Sequence, residues 1–414
     1  MTVAETLGQS LNLPNGVVLP NRLAKSAMSE TMGTISNRVT PALATLYGAW
    51  ADGGTGLLIT GNVMVDRRHI GEPKNVVLDD DRDMAALKAW AQAGKRNGNH
   101  IWMQLNHPGK QSPKMLNKAP VAPSAVPFRK DMRAMFATPR EMNEQEIRDT
   151  IHRFARSASL AEQAGFQGVQ IHGAHGYLVS QFLSPHHNRR NDSWGGSAEN
   201  RMRFVLEVYR AIRGATSEGF CVGIKLNSAD FQRGGFTEEE SLAVIEQLAK
   251  EGIDLVEISG GNYENPAMAG AAGVKASTAA REAYFLEFAE KVREKVSVPL
   301  MVTGGFRTSE GMAEAVASGA TDLVGIARPL AVEPDLSARI LAGESVTSAV
   351  KPIKTGIRMI DDMALMEVSW YTHQLGRIGK GKRPKKHDDG VMPLLEVLAV
   401  MATRGVWNRL RAGE

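Results

Sequence analysis

The chain has 414 residues, 43% hydrophobic and 23% charged, with a formal net charge of +4. That composition is ordinary for a globular enzyme, and the length suits one large α/β barrel or two average domains. The small charge comes with no basic reading motif, which argues against nucleic acid as a partner. The single cysteine, Cys221, excludes an internal disulfide, a four-cysteine iron–sulfur cluster and a multi-cysteine zinc site.

The N-terminal stretch MTVAETLGQS lacks the basic and apolar regions of a signal peptide. The longest apolar run, 391–402, contains Pro393 and Glu396 and is too short to span a bilayer. A cytoplasmic protein with no membrane partner is therefore expected.

In chain order, an Asn15-Gly16 pair between apolar residues predicts a hairpin over 11–19, placed to plug or flank a sheet. Short apolar runs follow at 22–28, 56–63, 100–107, 168–174, 221–228, 254–261, 299–305 and 322–328. Between them lie amphipathic stretches such as MAALKAWAQAGKRN and EEESLAVIEQLAKEG, several ending at glycine as helix C-termini prefer. The runs are apolar throughout, as strands covered by helices on one side and closed on the other should be. Strict alternation predicts a parallel sheet with right-handed crossovers, and eight strands close a (β/α)8 TIM barrel. The barrel is assigned to residues 1–342, its hairpin included. Residues 343–414 are assigned to a C-terminal helical extension: a helix over 353–378, a basic linker over 379–390 and an amphipathic helix over 391–411. This extension is expected to pack on the barrel or on a neighbouring subunit, and a homo-oligomer is expected. Residues 108–142, rich in proline and without clear periodicity, leave the third strand at the ligand face and are expected to cover a substrate.

Ligands bind such barrels at the C-terminal ends of the strands. There the fourth strand runs into IHGAHGY, which brings His172, His175 and Tyr177 together. Any one of these could simply cap a strand; three polar aromatic groups in seven residues point to a site. The seventh strand ends in Thr303-Gly304-Gly305 before a helix start at Thr308-Ser309-Glu310, and the eighth ends in Ala327-Arg328-Pro329. Glycine amides, a helix N-terminus and a forked cation make a phosphate site. Gln104, Lys225 and Asn62 are polar interruptions of apolar strands, costly unless paired, and so candidate ligand contacts. For Lys225 the alternative is a structural ion pair, for example with Asp230. Cys221, in the run FCVGIKL, is expected to be a buried thiol.

With these residues in view, the chain resembles the old yellow enzyme family of FMN-dependent ene-reductases over about residues 10–340. The most specific piece is HGAHGYLVSQFLSPHHNRRNDSWGGSAENRMRF (172–204), with NRLAKSAMSE, GLLITGN, MQLNHPGKQS and VGIKLNSADF in the family's order. The resemblance implies that His172 and His175 hydrogen-bond the carbonyl oxygen of an enone lying over the flavin, and that Tyr177 donates the proton. It implies that Gln104 and Lys225 contact the flavin pyrimidine edge and that Gly304, Gly305, Ala327 and Arg328 form the phosphate grip. Ala27, Met28 and Ser29 would lie under the ring, Ser29 replacing a threonine or cysteine that bonds flavin O4; Asn62 is counted with the cofactor contacts. Ala27 stands where proline is frequent, and the second histidine where many members have asparagine. NADH or NADPH would reduce the flavin in a separate half-reaction, consistent with the lack of a G-x-G-x-x-G fingerprint after any predicted strand. The alternatives left open are an FMN-dependent dehydrogenase or demethylase of small amines, a flavin-free barrel acting on a phosphorylated substrate, and a non-catalytic flavin carrier.

Overall fold

The computed structural model describes residues 1–261, 285–350, 353 and 365–385, with the single positions 395, 399 and 403. Eight parallel strands close on themselves: β1 Leu23–Lys25, β2 Leu57–Ile59, β3 His100–Asn106, β4 Gly168–Gly173, β5 Cys221–Asn227, β6 Leu255–Ser259, β7 Leu300–Thr303 and β8 Leu323–Ile326. Each pairs with the next in sequence, and closure comes from β8 on β1, with Val324 opposite Leu23. The (β/α)8 barrel expected from the alternation is the fold. Helices such as α1 (Pro41–Asp52), α2 (Met84–Gly94), α3 (Glu144–Gln163), α4 (Ala198–Ala215) and α5 (Glu238–Lys250) cover the outside. Asn143 and Thr237 open α3 and α5 with capping boxes, closed by Glu146 and Glu240.

One expected strand is split. The run 56–63 forms β2 and a separate short strand, Val63–Met64, around Thr60-Gly61-Asn62. The break is held from outside the barrel: the Glu30 carboxylate accepts the Gly61 N–H at 3.0 Å while bonding Tyr47 and Lys25. Lys25 is fully buried there, and burial outweighs Glu30 to push its pKa down to about 8.

Residues alternate between the two faces of each strand, so every second side chain points inward. The lower interior is apolar and is sealed by the hairpin Leu11–Asn12/Val18–Leu19, whose Leu11, Leu13 and Leu19 pack with Ala24, Trp102, Leu255, Met301 and Leu323. The Trp102 indole fits because Gly223 has no side chain: a Cβ there would lie 3.0 Å from its Cζ3. Cys221 sits in this layer, its thiol pushed up to about 12 by burial and touched by Asn15 Nδ2 at 3.3 Å.

Above this layer the interior turns polar. Glu257, fully buried on β6, meets Lys225 of β5 at 2.9 Å. The same carboxylate accepts from Ser26 Oγ at 3.0 Å, Thr303 Oγ1 at 2.7 Å and Gln170 Nε2 at 2.7 Å. Gln170 in turn accepts from Gln104 Nε2 at 2.8 Å. Lys225 therefore pairs with Glu257, not with Asp230, whose carboxylate is taken by Ser184, Asn227 and the Phe236 N–H.

The helix Leu365–Gly379 lies against α1, with Trp370, Leu375 and Ile378 buried in the common core. Its Thr372 donates to the Ser29 carbonyl at 3.2 Å. Residues 386–390 of the expected linker, and all but positions 395, 399 and 403 of the helix expected over 391–411, lie outside the described residues. Among the described residues, no helix is long and apolar enough to cross a membrane.

Two stability measurements test this interior. Leu19→Ala, which truncates a fully buried plug residue, should cost about 2–5 kcal/mol in urea unfolding; a loss under about 1 kcal/mol would mean a loosely docked hairpin. Glu257→Met should cost about 3–5 kcal/mol by stranding the Lys225 charge. Adding Lys225→Met should recover only part of this, because Ser26, Thr303 and Gln170 still lack their acceptor. A stable Glu257→Met single variant would contradict the pairing.

Candidate active site

The polar layer opens at the C-terminal ends of the strands. Here β4 ends in a turn, Ala174-His175-Gly176, with His175 at φ +62° and Gly176 at +78°. A non-glycine residue in that region costs on the order of 1–2 kcal/mol. The turn is clamped on both sides: the His175 N–H donates to Asn227 Oδ1 at 3.1 Å, and its carbonyl accepts from Gln111 Nε2 at 3.0 Å. The result is a cluster of the three predicted side chains. The His172 ring lies 5.2 Å from His175 and 4.7 Å from Tyr177, centre to centre. His172 and Tyr177 are buried and His175 half-buried. Burial, with Lys225 adding to it, holds both imidazoles well below the usual histidine range, so both are neutral near pH 7.

His172 sits beside Lys225 in the β4–β5 register, and Gln104 lies opposite Gln170 across β3 and β4. These strands thus bring His172, Gln104 and Lys225 to one end of the barrel. The glycines at the end of β7 adopt left-handed conformations, Gly304 at φ +110° and Gly305 at +95°, open to glycine and strained for other residues. The helix Ser309–Ala317 starts just beyond, with Thr308 capping the Gly311 N–H at 3.1 Å. Ala327 and half-buried Arg328 follow β8, where a short helix begins. Ala27, Met28 and Ser29 lie just past the end of β1, all half-buried.

Ser29 and Asn62 have partners that the sequence did not suggest. Ser29 Oγ bonds the carboxyl of Glu72, and Asn62 Oδ1 accepts from Asn75 Nδ2 at 3.3 Å and from Ser29 Oγ at 3.5 Å. Burial raises the Glu72 pKa despite these bonds. Glu72, Gln170, Glu257 and Ser259 are the site-supporting residues that sequence reasoning missed. Gln170 and Glu257 carried the signal used for Gln104 and Lys225, a polar residue inside an apolar strand.

Much of the 172–204 signature is scaffold. Asn188 Nδ2 donates to the carbonyls of Phe182 and Trp194, both at 2.8 Å, and Arg201 Nε donates to the Leu183 carbonyl at 3.0 Å. Arg190 reaches the carbonyls of Pro123 and Met142 at 3.0 and 2.7 Å, which ties down the long 108–142 connection. Nearby, Asp66, His69 and His107 each place a ligand-type atom within 4.8 Å of the others. Their chemistry does not suit a cation. Asp66 is bound by Arg68 at 2.6 Å and faces Arg153 at 3.3 Å. Both rings accept at Nδ1, His69 from Asn117 Nδ2 and His107 from the Gly109 N–H, which leaves their protons on Nε2.

The residues present fit a flavin mononucleotide. At the mouth, His172 Nε2 and Gln104 Oε1 have no hydrogen-bond partner among the described residues. Asn106, next inward on β3, is fully buried with neither end of its amide paired. Unpaired polar groups at such depth are costly and call for a polar guest. The Gly304-Gly305 turn follows β7, and Arg328 follows the neighbouring strand β8.

Comparison with known proteins agrees. Residues 9–345 match the NADH:flavin oxidoreductase / NADH oxidase family. The chain is 37% identical over 412 residues to the NADH-dependent flavin oxidoreductase iccE of Talaromyces variabilis, covering 91% of this chain and 99% of that protein. It is 39% identical over 400 residues to the NADH-dependent flavin oxidoreductase iliE of Neonectria sp. (strain DH2), covering 89% of this chain but only 51% of that longer protein. Among solved structures, morphinone reductase in complex with tetrahydroNAD superposes with a TM-score of 0.68 at 25% identity, covering 83% of this chain and 92% of that one. The chain belongs to the NADH:flavin oxidoreductase / NADH oxidase family, the old yellow enzyme family, and is an FMN-dependent oxidoreductase.

Proposed function

We propose that the enzyme uses NADH or NADPH to reduce the activated C=C bond of α,β-unsaturated carbonyl compounds, with the two substrates taking turns at one site in a ping-pong sequence. The observation that carries this is the convergence of His172, His175 and Tyr177 beside the inward-facing Gln104 and Lys225. Bound FMN supplies the chemistry of accepting hydride from the nicotinamide and passing it to an electron-poor carbon. The chain's own residues do the rest.

Gln104 and Lys225 hold the pyrimidine edge, Ala27, Met28, Ser29 and Asn62 line the ring, and Gly304, Gly305, Ala327 and Arg328 hold the phosphate. The two neutral imidazoles point donors at the substrate carbonyl, where negative charge grows as the β-carbon is reduced. A prepositioned donor of this kind is worth about 10²–10³ in rate. Tyr177 gives its proton to the α-carbon. Because Lys225 shares its charge with Glu257, it presents the cofactor with a tempered positive field. We place this chemistry in a cytoplasmic homo-oligomer, with residues 343–414 as a helical extension of the 1–342 barrel.

Tyr177→Phe tests the assignment. In anaerobic stopped-flow, reduction by NAD(P)H should be nearly unchanged, while re-oxidation by an enone such as cyclohexenone should slow by about 10²–10⁴. Equal slowing of both half-reactions would contradict the proton-donor role. Failure of any enone to re-oxidise the wild type, with re-reduction by a methylated amine instead, would reverse the direction of the chemistry.

A further inference from the structure

We propose that Ser259 is a positioning residue that holds the His175 imidazole with its proton on Nδ1, so that the pair offers a bound oxyanion one Nε2–H and one Nδ1–H. This rests on the reading of His172 and His175 as the carbonyl-binding donors.

The two rings are anchored differently. In His172 the Ala174 N–H donates to Nδ1 at 3.4 Å, which leaves the proton on Nε2. In His175 the anchored nitrogen is Nε2, 2.8 Å from Ser259 Oγ, and Nδ1 has no hydrogen-bond partner among the described residues. Ser259 is the last residue of β6, two positions beyond Glu257 on the same inward face, and is 3% exposed. Its carbonyl accepts the Ser228 N–H at 2.7 Å, so its backbone is fixed independently of the hydroxyl. The His175 backbone is held by Asn227 and Gln111, which leaves the ring little freedom to turn.

A neutral imidazole has one donor and one acceptor nitrogen, and the bond made by one decides the role of the other. If His175 donated to Ser259 through Nε2, a bare Nδ1 lone pair would face the developing oxyanion and repel it. If Ser259 donates to Nε2, Nδ1 carries the proton and becomes the second donor. Only this arrangement gives the site two donors. Ser259 thereby does for His175 what the Ala174 N–H does for His172, with the opposite ring nitrogen.

The test uses the FMN-loaded enzyme labelled with ¹⁵N. Imidazole ¹⁵N shifts of wild type should show His175 protonated on Nδ1 and His172 on Nε2. In Ser259→Ala the His175 assignment should be lost, and affinity for p-hydroxybenzaldehyde, read from the flavin absorbance, should fall about 10-fold. Ser259→Thr, which keeps the hydroxyl, should retain both properties, and FMN content should be unchanged in either variant. A wild-type His175 protonated on Nε2, or an Ser259→Ala variant with unchanged tautomer, overturns the proposal whatever the affinity. Equal loss in the Ala and Thr variants overturns it too, because space rather than the hydroxyl would then matter. Wild type that binds no phenol overturns the carbonyl-site reading, and with it this use of the pair, whatever the tautomer.

Discussion

Lys225 and Glu257 face each other across two neighbouring strands inside a closed barrel, 2.9 Å apart and almost without solvent. Neither charge could sit there alone; each costs several kcal/mol to bury and is kept only by its partner and its hydrogen bonds. Glu257 meets that demand fully, with Lys225, Ser26, Thr303 and Gln170 all arranged around one carboxylate. Burial works against its ionisation, but the Lys225 charge and these bonds prevail and hold its pKa below the usual range. This polar layer joins Ser26, just past β1, to residues of β3, β4, β5, β6 and β7, and so fixes the upper ends of these strands relative to one another. The apolar, hairpin-plugged layer beneath supplies the stability; the polar layer supplies the register of the site.

What stands above follows from that register. His172 is aligned with Lys225, and Gln104 is linked to the carboxylate through Gln170. The turn after β4 then lifts His175 and Tyr177 toward His172, with a left-handed His175 as its cost. Strain of this sort persists only where surrounding contacts over-determine it, and Asn227, Gln111 and Ser259 do so here.

The barrel was legible in the sequence because all eight strands are covered on both sides and therefore read as apolar runs. The hairpin was legible from Asn15-Gly16. Where β2 stops was not, because its end is set by Glu30, on another segment, taking the Gly61 N–H. Lys225 stood out as a charge in an apolar run, but its partner did not. Asp230 is the near acid in sequence, whereas pairing of β5 with β6 puts Glu257 opposite, 32 positions along the chain. The bonds of Ser29 and Asn62 to Glu72 and Asn75 were not legible either, because they come from a loop whose path only the fold determines. The 172–204 signature identified the family through residues that mostly staple loops, with its first six positions carrying the candidate chemistry.

FMN is expected in the mouth above the Lys225–Glu257 layer. Electron density from crystals of the FMN-loaded enzyme tests it most directly. The phosphate should lie between Gly305 and Arg328, the pyrimidine edge at Gln104 and Lys225, and one ring face toward His172, His175 and Tyr177. A phosphate bound elsewhere, or those three side chains turned away from the ring, would contradict it.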